Sequence, residues 1–501
     1  MTVVEERGGR APARRRPGPD VAATLSRRLS DLASGADAGT LVSATVAAQD
    51  GDAIALFAAA RALGLDPSLW IQAAQGLQMV GIGTAWSIEP DGPGRFHEAD
   101  AAWRGLAAGA RIHDDSGETR GTGPLLVGGF AFDATSGADA TWAGFGGGRL
   151  VLPRLLWTRT RRGTWLTANE VGPWSGIGTR AATASRGPTL PDDSVADLWA
   201  SVTARASDPH ASGEDGVRRF ATLRVDGGEP DEVAWRTIAG RFAGAVGRGR
   251  LDKVVLARRV DLRADLPIDV EATLRRLASG AAESTVFAVA RGDAVFLGAS
   301  PERLVRTEGR DARTVAIAGS TRRGADLAED EALAGALLAD EKEREEHEVV
   351  VRMLRESLAP LCDDLDVAAS PRVIRLRTVQ HLCTDVTART SDRAGILSLV
   401  GVLHPTPAVG GQPRAVALEL IRDQERLDRG WYAAPLGWLD RDGDGEFIVA
   451  LRSGVVRGDR AHLFAGCGIV ADSEPDREWE ESRMKLRPVS SALGRLQDAD
   501  R

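Results

Sequence analysis

Only three cysteines occur in 501 residues, Cys362, Cys383 and Cys467, and no two share a Cys-x-x-Cys spacing. Neither a cysteine zinc site nor a disulfide framework is indicated, which suits a reducing cytosol. No apolar run approaches the roughly 18 residues that cross a bilayer, so no membrane partner is expected and the chain is read as cytoplasmic. Positive charge is also short. Against 71 Asp and Glu stand 63 Lys and Arg, a net charge of −8, which argues against nonspecific nucleic-acid binding. An anionic ligand would therefore need positive charge gathered locally, by side chains or by metal. No Walker-type or dinucleotide glycine motif stands between a strand and a helix, and no repeat of solenoid or propeller period is present. Tyrosine is nearly absent: Tyr432 is alone, and Phe and Trp fill the other aromatic positions. A lone phenol points to use of its hydroxyl.

The length allows two or three ordinary domains or one large layered unit. Residues 1–20 carry Arg14-Arg15-Arg16 and then Pro17-Gly-Pro-Asp20 instead of an apolar stretch, so they read as a disordered leader and not a signal peptide. Residues 21–210 open with a short helix at Val21 to Leu32. They then alternate short apolar runs and glycine-rich turns, the pattern of a sheet-rich half. Leu150 to Trp157 reads there as one strand, and Ala206 to Gly216 as a linker. Residues 228–495 mix helices and strands, with one long helical tract from Asp326 to about Leu358. The pattern is α+β, large sheets flanked by helices.

The segment Phe464-Ala-Gly-Cys-Gly-Ile-Val-Ala-Asp472 ends a strand before a helix carrying Glu478, Glu481 and Lys485. Residues three, four and seven apart share a helix face. Glu343 and Glu346 repeat the carboxylate spacing on another predicted helix. Taken singly, each pair is more often a solvated helix face. Facing each other, four hard oxygens would suit Mg²⁺. Lys253 opens the strand Val254-Val-Leu-Ala257, where edge protection is the ordinary role. Glu302 follows the turn Gly298-Ala-Ser-Pro301, where a loop carboxylate is ordinary. Together they could serve as base and acid if burial moves both pKa values toward neutrality. Arg452 closes the apolar strand Phe447 to Leu451 and would want a planar carboxylate partner. Asp440-x-Asp442-x-Asp444-Gly445 begins like a calcium loop, but its twelfth position is Leu451, so a hairpin turn is expected. His347-Glu-Val-Val-Val351 is not a zinc-protease motif.

Taken together, these stretches resemble the chorismate-utilising enzyme family, which includes isochorismate, salicylate, anthranilate and aminodeoxychorismate synthases. The matching segments are Lys253 to Arg258, Phe296 to Leu304, Ala318 to Arg322, Glu346-His347, His404 to Ala408, Tyr432, Arg452, Phe464 to Val470 and Glu478 to Lys485. They run in order from about 230 to 490. In the preceding half, Gly128 to Asp133 and Val151 to Leu155 are similar to isochorismate synthases of menaquinone pathways. The resemblance implies a large two-layered antiparallel sheet core flanked by helices, with both halves in one integrated domain.

It also implies chemistry in which a nucleophile attacks chorismate at C2 and the 4-hydroxyl departs. Lys253 would activate water, and Glu302 would protonate the leaving hydroxyl. Ala318 stands where aminodeoxychorismate synthases place a nucleophilic lysine, so water is the expected attacker and no glutaminase subunit is needed. Glu346 and Glu481 would bind Mg²⁺ directly, and Glu343 and Glu478 through water. Lys485 and the amides around Gly466 and Gly468 would face the ring carboxylate. Tyr432 and Arg452 would hold the enolpyruvyl carboxylate, and Gly319, His381 and Thr384 would line the site. Ala408 is typical of enzymes that stop at isochorismate. The expected reading is a monomeric isochorismate synthase, serving menaquinone synthesis in preference to siderophore synthesis on the Gly128 to Asp133 segment. A salicylate synthase, which goes on to eliminate pyruvate, and a silent chorismate-binding protein are the alternatives.

Overall fold

Two sheets built almost wholly of antiparallel pairs carry the strands of the computed structural model. It describes residues 20–135, 139–172, 194–208, 220–280, 282–375, 379–391 and 394–497. The expected leader (1–19) and the expected linker from residue 209 onward lie outside the described residues.

The larger sheet starts at one edge with Gly494–Leu496, Ala221–Glu229, Lys253–Ala264 and Arg460–Ile469, then Ser453–Arg457, Ala294–Ser300 and Thr285–Arg291. It continues through Ser68–Gln72, Leu77–Ile82, Leu155–Thr160, Gly163–Val171 and Leu41–Ala47 to Arg111–Asp114. The smaller sheet orders Cys362–Val367, Val379–Thr390, Asp311–Arg322, Arg303–Glu308 and Gly445–Val449, then Pro435–Asp440, Leu125–Phe130, Gly148–Leu152 and Trp86–Ile88. Strands from both parts of the chain meet in each sheet: Ser68–Gln72 pairs with Thr285–Arg291, and Leu125–Phe130 with Pro435–Asp440.

The strand Thr285–Arg291 shows why so many strands read as unbroken apolar runs. Its side chains alternate between faces, and both faces are covered. Phe287 and Val289 enter the core between the sheets with Phe296, Phe130, Trp438 and Phe447. Val286, Ala288 and Ala290 face the outer helices through Leu25, Phe57, Leu198, Leu274 and Val489. The fold is the expected two-layer α+β core with flanking helices.

Three local readings change. The tract from Asp326 is two helices, Leu327–Ala339 and Glu341–Leu358, divided at Asp340. The Asp340 carboxylate accepts the Glu343 N–H at 3.0 Å, an N-cap that starts a new helix and ends the old one. The apolar run through Leu150 splits at Pro153, which lacks the N–H a ladder needs: Gly148–Leu152 joins the smaller sheet and Leu155–Thr160 the larger. The region from Leu41 to Trp199 adds helices to its strands, among them Ala53–Ala62, capped by Asp52. Between Asp440 and Gly445 lies the expected hairpin turn, closed by Asp440 N–H to Asp444 O at 2.8 Å. No helix among the described residues is long and apolar enough to cross a membrane.

Candidate active site

The candidate residues gather where chain segments cross between the sheets. Glu302 sits where the chain leaves Ala294–Ser300 in the larger sheet and enters Arg303–Glu308 in the smaller one. Arg452 marks the opposite crossing, from Gly445–Val449 to Ser453–Arg457. The crossings are tied together. Ala299 N–H donates to Arg452 O at 3.2 Å, and Val449 N–H donates to Glu302 O at 3.1 Å. Arg452 has φ of 50°, a left-handed conformation uncommon for a residue with a side chain.

Around these crossings the carboxylates and cations interleave. Lys253 Nζ lies 2.5 Å from Glu346 Oε1. Lys485 Nζ lies 2.6 Å from Glu481 Oε1 and donates to Gly466 O at 2.9 Å. Helix Pro475–Leu493 carries Glu478, Glu481 and Lys485, and helix Glu341–Leu358 carries Glu343 and Glu346. Lys342 and Asp472, 3.7 Å apart, bring the starts of these helices together. Gly319, with φ of 75° at a bulge in Asp311–Arg322, lets Glu343 approach: its carboxylate accepts the Ser320 N–H at 2.7 Å. Glu478 accepts from the Ser473 hydroxyl at 2.8 Å.

Burial sets the protonation states. It pushes the Glu302 carboxyl up to about 7, against the pull of Arg452, Lys253 and Lys485. Burial and the neighbouring Glu346 raise Glu343, and burial with Glu481 raises Glu478. At Glu346, burial is outweighed by the Lys253 ammonium, which leaves its pKa lowered. Burial pushes Tyr432 up to about 12, so it is a phenol that can donate, stacked on Phe464 at 5.4 Å. Burial, with Arg452 and Lys485 nearby, takes His381 down to about 4, leaving a neutral imidazole 2.7 Å from the Ser320 hydroxyl. The Arg452 guanidinium has no hydrogen-bond or ion-pair partner among the described residues, and Tyr432, Glu481 and Glu302 lie within its electrostatic reach.

The two glycines of the Phe464 segment have different reasons. A Cβ at Gly466 would press on Leu256 O at 3.1 Å and the Tyr432 hydroxyl at 3.3 Å. A Cβ at Gly468 would lie 2.3 Å from Lys253 Cε and 2.8 Å from its Nζ, because the lysine crosses directly over it. The obstacle is the mobile end of one side chain, so Gly468→Ala should fold and displace only Lys253. A melting temperature within about 4 °C of the parent is expected, with kcat reduced roughly 10- to 100-fold. Unchanged kcat would show that the position of Lys253 is immaterial.

Two candidates stand back from the cluster. The Thr384 hydroxyl is spent on His347 Nε2 at 2.7 Å and supports the helix bearing Glu346. Ala408 lies in the turn before Gly410, whose carbonyl accepts the Val255 N–H at 2.9 Å at the entry of the Lys253 strand. Ser320 and Ser473 were not singled out as functional from sequence, although Ser320 lies inside the Ala318 to Arg322 match. A groove of about 610 Å³ on the smaller sheet, lined by Asp311, Arg313, Asp366, Asp385 and Arg389, holds none of the candidate residues.

The donor chemistry fits a hard divalent cation. Glu346 and Glu478, one from each helix, lie within electrostatic reach of the same two lysines, Lys253 and Lys485, and burial first, then a like charge, raises Glu343 and Glu478. Cys467 lies with Glu478 and Glu481 within ligand distance of one another. Its thiol, however, is pushed up to about 12 by burial and donates to Glu478 O at 3.2 Å. Oxygen is therefore the available ligand, and magnesium the hard ion it suits.

A family model described as chorismate binding enzyme matches residues 27–494. The chain is 34% identical to isochorismate synthase MenF of Bacillus subtilis, over 85% of this chain and 87% of that protein. It is 37% identical to the salicylate biosynthesis isochorismate synthase of Pseudomonas aeruginosa, over 83% of each. Among solved structures, the menaquinone-specific isochorismate synthase MenF from Escherichia coli superposes with a TM-score of 0.71 at 26% identity, covering 94% of this chain and 99% of that one.

Proposed function

This chain belongs to the chorismate-binding enzyme family, and on that footing we propose that it is an isochorismate synthase, an isomerase acting on chorismate. One observation carries the reading. A carboxyl held near 7, Glu302, lies within electrostatic reach of Lys253, itself paired with Glu346, and of Arg452, which has no ion-pair partner among the described residues. Lys253, at the entry of its strand, takes a proton from water as the water oxygen bonds to C2. The ring double bonds shift, the C4–O bond breaks, and Glu302 delivers its proton to the departing hydroxyl. One water enters and one leaves, so substrate and product are isomers.

Tyr432 and Arg452 hold the enolpyruvyl carboxylate by a phenol donor and a planar guanidinium. Lys485 and the backbone at Gly466 and Gly468 face the ring carboxylate, Gly319 and His381 build the wall, and Thr384 supports it from behind through His347. Glu346 and Glu481 would hold Mg²⁺ directly, with Glu343 and Glu478 acting through water. Bound Mg²⁺ supplies neutralising charge for the ring carboxylate. Strands shared by both sheets support treating 21–210 and 228–495 as one integrated unit.

Chromatography after incubation with chorismate and Mg²⁺, without an amine donor, tests the reading. Isochorismate is expected, lost with EDTA and restored by added Mg²⁺. Salicylate plus pyruvate would make the chain a salicylate synthase, a reading that the Pseudomonas relative keeps in view and Ala408 opposes. Binding without product would leave a silent binding protein. We assign the product to menaquinone synthesis on the Gly128 to Asp133 segment; rescue of a menaquinone-deficient strain, and not of a siderophore-deficient one, checks this.

A further inference from the structure

The strand Lys253–Ala264 is fully paired along one edge, where Val254 to Arg263 match Ile469 to Arg460. Its other edge has a gap. Gly411–Gln412 pairs only with Lys253 and Val254, and Ala221–Glu229 pairs only from Arg259 onward. Between them, Val255 C=O and Ala257 N–H face an edge with no strand among the described residues. Buried backbone groups of this kind need partners, and two side chains provide them. Arg429 Nη2 donates to Val255 O at 2.8 Å, and Glu425 Oε2 accepts the Ala257 N–H at 2.9 Å.

Glu425 and Arg429 are 0% and 3% exposed, and they are joined by two hydrogen bonds, one of them Nε to Oε1 at 2.6 Å. The same guanidinium donates to Val409 O at 2.7 Å, next to Ala408, and lies 4.3 Å over the Phe132 ring. The Arg429 carbonyl accepts the Tyr432 N–H at 2.9 Å. One planar, five-donor group thus touches the Lys253 strand, the Ala408 turn and the preceding half of the chain, while the backbone of the same residue holds the Tyr432 loop.

We propose that the Glu425–Arg429 pair is a positioning element that substitutes for the missing strand and fixes Lys253 relative to Tyr432 and Ala408. Neither side chain bonds a candidate side chain of the site; both hold backbone, and the Arg429 charge, which lies within electrostatic reach of Tyr432, is kept in the lysine variant. The inference rests on the reading of Lys253 as the base. Arg429→Lys keeps the charge beside Glu425 but lacks the fork that spans Val255 O, Val409 O and the carboxylate at once. A role in charge balance alone would be rescued by lysine. A positioning role would not, because a 1 Å shift of a catalytic group costs about 100-fold.

For folded Arg429→Lys, kcat is expected to fall about 100-fold while the chorismate KM stays within about threefold. A kcat within about threefold of the parent overturns the proposal. Removing one partner of a buried pair strands the other's charge, so the neutral double exchange Glu425→Gln with Arg429→Gln is run alongside and should show the same split between kcat and KM. If neither protein folds, the pair is a folding element and the proposal is wrong. Lys253→Ala in the same assay separates the two readings: retained turnover there removes the base assignment, whatever Arg429→Lys does.

Discussion

Lys253→Ala is expected to bind chorismate and to lose turnover by about three orders of magnitude, the middle of the range for a positioned general base. The lysine has two roles in the structure, and alanine removes both. Its ammonium neutralises Glu346 at 2.5 Å, and on the proposed reading its deprotonated amine is the base that works opposite Glu302. Lys253→Arg separates the roles. Arginine retains a cation for Glu346 but does not deprotonate in proteins, so it can balance charge and cannot take a proton from water. Both variants should therefore be equally inactive while differing in the charge beside Glu346. Removing the ammonium also removes what holds the Glu346 carboxyl low, so its pKa should rise in the alanine variant and stay low in the arginine one. Chorismate affinity by calorimetry and product formation by chromatography measure both halves of the claim. If Lys253→Arg keeps more than about a tenth of the parent turnover, the lysine is an electrostatic partner and the base lies elsewhere.

The parts of this site that follow from local spacing were legible in the sequence. Glu478, Glu481 and Lys485 share a face of one helix because the helical period places them there, and the pair at 481 and 485 is an i, i+4 contact. Lys253 stands at a strand entry, as its apolar followers imply. The cap at Asp340 was also legible, since an aspartate followed three residues later by glutamate is a helix-start signal; the charge-rich run around it hid the break. Other features had no local signature. Glu302 and Arg452 matter because they lie at neighbouring crossings between sheets, and that depends on strand pairings about 150 residues apart. The contacts Lys253 with Glu346 and Ser320 with His381 likewise join separate parts of the chain. Spacing proposed the four glutamates as a set. Only the packing of two helices on two different sheets brings Glu346 and Glu478 within reach of the same lysines, Lys253 and Lys485.

Glu302→Gln is expected to match Lys253→Ala in severity, with a turnover loss of about three orders of magnitude and little change in chorismate affinity. Glutamine keeps the size and one acceptor oxygen but has no proton to give. In the parent, a carboxyl held near 7 by burial is the acid form below that pH and the carboxylate above it. Acid catalysis therefore requires the protonated form, and kcat/KM should fall as pH rises through about 7. Arg452, Lys253 and Lys485 all pull this value down, which sets the direction of a second effect. Arg452→Gln removes one of those cations, so the midpoint of the alkaline fall should move to higher pH even as chorismate affinity drops. An unpaired guanidinium that served only to bind the enolpyruvyl carboxylate would weaken KM and leave the midpoint of kcat in place. A pH series of kcat and kcat/KM on the parent and Arg452→Gln distinguishes these outcomes. An unmoved midpoint in kcat/KM, which reports the free enzyme, would mean that the group titrating near 7 is not Glu302, and the assignment of the acid would fall with it.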